Sequence, residues 1–175
     1  MEFKEWIEVL DEASLNKLYD QAVQAFPQTT KRQYATQPVL IEKINWTPYL
    51  GMNTLFVKAE ARNADRHYNP MILFKGMTYG TGDVDIMANN GQKVSFDKIS
   101  PESTDALVRC NCDDFKWRFN YYNHLDKTLY GRKRAKYEAK YNPGSANPTK
   151  SPGMCKHIMK MMEVLESANI FFNKT

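Results

Sequence analysis

The sequence predicts an α+β protein built in order from an N-terminal helix, an antiparallel β-rich body and a clamped C-terminal module ending in a helix. Three observations predict it. Apolar residues recur at helical spacing at both ends of the chain. The middle carries short strand-like runs split by turn residues, with no helical pattern between them. That favours an antiparallel sheet or small barrel over a doubly wound fold. All three cysteines and one of the three histidines fall in two short pairs late in the chain. The helix and β-rich body are expected over residues 1–105, and the clamped module over residues 106–175.

Residues 1–26 read as helix. Phe3, Trp6, Ile7 and Leu10 share one face, and Leu15, Leu18, Ala22 and Phe26 continue a similar one. Ser14 is placed to cap a second helix and split the segment near Ala13, and Pro27 ends it. Such a helix either covers one face of a sheet or docks a partner. Strands are expected from Gln37 to Trp46, Thr54 to Ala61, Met71 to Tyr79, Val84 to Ala88, Lys93 to Phe96 and Ala106 to Cys110. In the second, Leu55, Val57, Ala59 and Ala61 alternate with Phe56, Lys58 and Glu60, the period of a strand with one buried face. Asn89-Asn90-Gly91-Gln92 between two such runs is a hairpin signal. Residues 113 to 122 are short and aromatic, and residues 142 to 153 are rich in Pro, Gly, Asn and Ser. From Met154 to Ile170 the helical period returns, with Ile158, Met161 or Met162, Leu165 and Ala168.

Composition narrows the class without giving a function. The chain has 175 residues, 42% hydrophobic and 25% charged, enough for a core without disulfides. No run approaches the roughly 18 apolar residues of a membrane span. The opening MEFKEWIEVLDE is acidic and amphipathic, unlike a signal or transit peptide. Three cysteines is an odd number, so they cannot all pair within the chain.

Their spacing is more informative. Cys110-Asn111-Cys112 is separated by 42 residues from Cys155-Lys156-His157. Alternate residues at a strand end share a face, so two thiolates can converge. A Cys-x-His pair at a helix start can bring two more donors to the same point. Three thiolates and an imidazole form a closed tetrahedral set suited to structural zinc, with no position for an activated water. Closing a 42-residue loop costs about 3 kcal/mol plus a constant. Structural zinc supplies on the order of 10–16 kcal/mol. The alternatives are three plain core cysteines, a redox pair at Cys110 and Cys112, or a Cys155/His157 nucleophile lacking an orienting third group.

Charge is also uneven. Residues 116 to 160 hold eleven Lys and Arg against Asp126 and Glu138, a net +9, while the rest of the chain carries −5 of the overall +4. Trp117, Phe119, Tyr121, Tyr122, Tyr130, Tyr137 and Tyr141 are interspersed among these cations. Arg132, Lys133, Arg134, Lys136, Tyr130 and Tyr137 are the candidate contact residues. Such a surface suits an acidic protein patch, or nucleic-acid phosphates and bases, or is a solvated loop pinned by its aromatics. Asp83, Asp85, Asp113, Asp114, His67 and His124 carry no arrangement that specifies chemistry. No phosphate loop, dinucleotide fingerprint, His-Glu-x-x-His or nucleophile elbow is present. No catalytic residue is assigned, and a non-enzymatic protein is expected.

Cys110, Cys112 and Phe115, followed by Cys155, Lys156, His157 and Ile158, resemble the SWIM-type zinc signature. That resemblance covers about residues 106 to 165. It implies that the two cysteines lie in a small hairpin, that Cys-x-His opens a helix, and that the module binds nucleic acid or protein. The gap between the ligand pairs is longer than is usual there. The wider order of segments is similar to small virion structural proteins of tailed bacteriophages. It runs from an N-terminal helix through KRQYATQPVLIEKINWTPYLGMNTLFVKAEAR, MILFKGMTY and VRCNCDDFKWRF to NPTKSPGMCKHI. This implies a minor tail or neck component residing in the virion after assembly in the host cytoplasm. Its partners would be other virion proteins, with nucleic acid as an alternative through residues 116–160, and no membrane.

Overall fold

The computed structural model describes residues 14–26, 39–136 and 147–172. The helical positions expected at Phe3, Trp6, Ile7 and Leu10, the contact candidate Tyr137 and the turn at residues 142–145 lie outside the described residues. The protein is α+β, with an N-terminal helix, antiparallel sheets and a C-terminal helix that starts at the cysteine and histidine cluster.

Helix α1 spans Leu15–Ala25 and begins at the expected Ser14 cap. The Ser14 Oγ accepts the Lys17 N–H at 3.2 Å, satisfying one of the free donors of the first turn. Leu15, Leu18 and Ala22 form its buried stripe.

Strands β1 (Val39–Tyr49) and β2 (Thr54–Asn63) pair antiparallel across a short 3₁₀ turn at Leu50–Met52. The alternation in β2 holds: Leu55, Val57, Ala59 and Ala61 are fully buried. Strand β3 (Arg66–Tyr68) pairs with the end of β2, and β4 (Met71–Phe74) pairs with its start. Three residues are too few for a periodic signal, so β3 has no sequence signature. The sheet runs β1-β2-β4-β7, with β7 at Ala106–Arg109.

The strand expected from Met71 to Tyr79 is interrupted. Lys75 donates its N–H to the Asp105 carbonyl at 2.9 Å and Met77 donates to Asn53 at 2.8 Å. Between them Gly76 adopts φ +67°, a conformation glycine takes without a Cβ penalty. The chain then enters a second, two-stranded sheet of β5 (Tyr79–Met87) and β6 (Lys93–Phe96). Its tip is the expected turn, in which Gly91 donates to the Ala88 carbonyl at 2.9 Å and Ala88 to Gln92 at 2.8 Å.

The two sides of the main sheet end differently. Beyond β7, the chain returns alongside it. Val108 donates to Thr128 at 2.8 Å and Tyr130 donates to Val108 at 3.1 Å, a parallel bridge that closes this edge. On the other edge β1 carries a bulge between Ile41 and Lys43, and Pro48, which has no N–H. The β5–β6 tip meets β1 there: Asn89 donates to the Trp46 carbonyl at 3.0 Å.

The aromatic stretch after β7 is helical: a π turn at Phe115–Phe119 runs into α2 (Asn120–Leu125). Its apolar residues Phe115, Phe119 and Tyr122 are buried. Helix α3 spans Lys156–Ser167, with Ile158, Met161 and Leu165 inward, whereas Ala168 falls past its end and is exposed. These residues join Leu55, Val57, Ile72, Phe74, Val108, α1 and β6 in one contiguous apolar cluster. No helix among the described residues is long and apolar enough to cross a membrane.

The entry to α3 is set by a buried amide. The Asn123 side chain donates from Nδ2 to the Gly153 carbonyl and accepts the Gly153 N–H at Oδ1, both at 2.8 Å. Gly153 sits so tightly that a Cβ would lie 2.7 Å from the Phe119 ring and 2.9 Å from the Ala22 Cβ. Asn123→Ala is therefore expected to strand two buried backbone groups and destabilise the fold by about 3 kcal/mol, read from the denaturant midpoint.

Candidate metal centre

Each of the four donors is delivered by a different local device. Cys110 follows β7 directly, and Asn111 is exposed between two buried cysteines. The Asn111 Oδ1 accepts the Asn69 N–H at 2.8 Å, fixing this link to the segment between β3 and β4. Cys112 sits where the strand gives way to a helical turn, rather than in the hairpin that the resemblance implied. The Lys116 N–H donates to the Cys112 carbonyl at 3.0 Å, and the Phe115 N–H donates to the Cys112 Sγ at 3.3 Å. Cys155 is the extended residue before α3, and His157 lies in its first turn.

The four side chains converge. The Sγ atoms of Cys110, Cys112 and Cys155 and a His157 ring nitrogen all lie within 4.8 Å of one another. His157 Nδ1 is 3.9 Å from both Cys110 Sγ and Cys155 Sγ. Thiolate and imidazole ligands at tetrahedral geometry around a zinc-sized ion have edges of about 3.6–3.8 Å. The cluster needs only a small contraction to reach them.

The cluster is buried. All four side chains are at most 3% exposed. His157 Nε2 has no hydrogen-bond partner among the described residues, and the ring packs against Tyr68 with centroids 4.3 Å apart. The thiols respond strongly to one another. Hydrogen bonds donated by the Cys110 and Cys155 thiols hold Cys112 far below the usual cysteine range, with His157 and the Phe115 N–H adding to the effect. Donating to Cys112 pushes Cys110 up, and burial pushes Cys155 up. Metal binding at such a site requires the thiols to give up their protons. Buried Cys110, Cys112, Cys155 and His157 lie close enough to hold a metal ion together.

The candidate contact residues connect to this part of the chain through Arg109 and Asn120. Arg132, Lys133, Arg134 and Lys136 are exposed. Arg109, one residue before the first cysteine, donates from Nη1 to the Tyr130 carbonyl at 3.1 Å and the Arg132 carbonyl at 2.7 Å. The Arg134 N–H donates to the Asn120 Oδ1 at 2.8 Å. Tyr130 itself is half-buried and stacks on Phe56 with centroids 4.9 Å apart, so its ring serves packing rather than open contact.

Sequence reasoning missed the polar residues that return the long insertion to the cluster. Asn147, 1% exposed, donates to the Arg118 carbonyl at 3.0 Å and the Ser151 carbonyl at 2.7 Å, and its Oδ1 accepts the Ser151 N–H at 3.1 Å. With Asn123 it organises the approach to Cys155. Asparagine in a turn-rich stretch signals a turn. Nothing in that signal marks a buried clamp.

Purified protein is expected to carry about one equivalent of a thiophilic divalent ion by elemental analysis, and Cys155→Ser less than half an equivalent. Chelation is expected to lower the melting temperature by about 10 °C or more, because metal binding to a closed site contributes directly to folding.

Set against models of protein families, curated proteins and solved structures, the chain matches none of them.

Proposed function

We propose that this is a non-enzymatic structural and interaction protein, a minor component of a tailed-phage virion. Its structural zinc site holds a basic, aromatic surface rigid for docking onto other virion proteins. The observation that carries this is the position of the closed four-donor set at the root of the basic segment. β7 runs from the sheet through Arg109 into Cys110. Arg109 in turn holds the backbone of Tyr130 and Arg132.

Zinc is favoured over other ions because three thiolates and an imidazole select a soft, tetrahedral ion. A saturated set leaves no ligand position for water, which supports a structural role and not hydrolysis. The SWIM-like spacing and the phage-like order of segments point the same way. An interface of this kind uses Arg and aromatic anchors against an acidic partner.

A nucleic-acid role is the second reading, and Trp117 favours it. Its ring is 42% exposed, with Lys116 Nζ 4.8 Å and the Arg134 guanidinium 5.8 Å from its centroid. An indole flanked by cations can stack a base while the cations meet phosphate.

The protein is expected in purified particles at a fixed copy number with stoichiometric zinc, as quantitative mass spectrometry and elemental analysis would report. Absence from particles defeats the virion role. The second reading requires affinity for single-stranded DNA or RNA that falls steeply with salt. Substituting Arg132, Lys133 and Arg134 together should lower the slope of log affinity against log salt by about 2. No binding at low salt removes it.

A further inference from the structure

Near the C-terminal end of helix α3, away from the cysteine and histidine cluster at its start, lies a cleft of about 450 Å³. Its lining among the described residues includes Pro101, Met162, Phe171 and Phe172 for apolar surface and Glu102 and Glu166 for charge, and no Lys or Arg. Phe172 is 58% exposed, a large apolar side chain presented to solvent at the cleft. Both glutamates are exposed.

The cleft and the basic surface are separate, as two elements show. Helix α3 starts at the metal cluster and carries Glu166 near its far end, about 14 Å along the axis from His157. Strand β7 spans the same interval in the other sense. Ala106 pairs with Phe74, whose ring lies 6.1 Å from Phe171 in the cleft wall. Arg109, about 10 Å along the strand, holds Tyr130 and Arg132 at the basic surface.

We propose that the acidic, apolar cleft of one copy receives the basic segment of another around Arg132–Arg134, giving head-to-tail self-association. This rests on the reading of the basic surface as a protein-docking surface and names its partner as a second copy of the chain. Arginine suits the site. Its guanidinium pairs with a carboxylate while its flat face packs on an exposed phenylalanine. The two surfaces differ, so the contact is heterologous and propagates into a ring or filament instead of closing as a two-fold dimer.

The test uses light scattering and sedimentation of the zinc-loaded full chain. The parent is expected to exceed its 20.3 kDa monomer mass increasingly with concentration at low salt. Raising salt from about 50 to 500 mM should weaken association about tenfold or more. Glu102→Lys with Glu166→Lys, and separately Arg132→Glu with Arg134→Glu, should each remain monomeric with metal content unchanged. All four positions are exposed, and the hydrogen bonds made by residues 132 and 134 to Arg109 and Asn120 use their main-chain atoms. Mixing the two variants should restore association, since each then offers the other a complementary surface. A parent that stays monomeric at low salt, association that survives in either variant, or a mixture that stays monomeric overturns the proposal. A monomeric parent that still binds particles through residues 132–134 would overturn self-association alone, whereas loss of both would remove the docking surface as well.

Discussion

Everything distinctive in this protein follows from holding Cys155 and His157 against Cys110 and Cys112 across 42 intervening residues. The entropic cost of that closure, about 3 kcal/mol plus a constant, is modest beside what a tetrahedral thiolate site can return. It is also shared. Asn123 grips both polar groups of Gly153, and Asn147 gathers Arg118 and Ser151, so the chain is already narrowed to one approach before the last donor arrives. The three thiols and the imidazole are held within 4.8 Å of one another, and the hydrogen bonds from Cys110 and Cys155 push the Cys112 thiol below the usual cysteine range. A cluster brought this close would need little further ordering to hold a cation.

The same constraint positions the basic segment. Arg109 lies next to the first donor and its guanidinium holds two carbonyls of residues 130–132, so any movement of the cluster is felt at the exposed cations within one residue of chain. Phe56 and Tyr130 add a stacked pair. Tyr130 is one of the aromatics that pin this segment to the body. The exposed arginines and lysines therefore emerge from a base held by these hydrogen bonds, which would reduce the entropy lost on engaging a partner.

The convergence of Cys110, Cys112, Cys155 and His157 was legible in the sequence because two short pairs of such residues are a local signal, and the fold brings them within 4.8 Å of one another. The face of β2 was legible for the same reason, since a period of two over eight residues fits little besides a half-buried strand. What escaped was decided by tertiary contacts. Met71 to Tyr79 reads as one strand in sequence, yet Lys75 and Met77 find carbonyls at Asp105 and Asn53, which no local pattern announces. The helical character of residues 115–125 was hidden by aromatic and asparagine residues of weak helix propensity; burial of Phe115, Phe119 and Tyr122 outweighs it. Asn123 and Asn147 look like punctuation in the sequence, and only the fold shows them as interior clamps.

The bulge between Ile41 and Lys43, together with Pro48 and the Asn89 contact on Trp46, has a bearing on crowding. An eleven-residue outer strand would ordinarily template the addition of a neighbour's strand side by side. Here the hydrogen-bonding comb is broken at three places along its length. Molecules packed densely against one another are thus steered away from lateral zippering into amyloid-like ribbons, whatever brings them together.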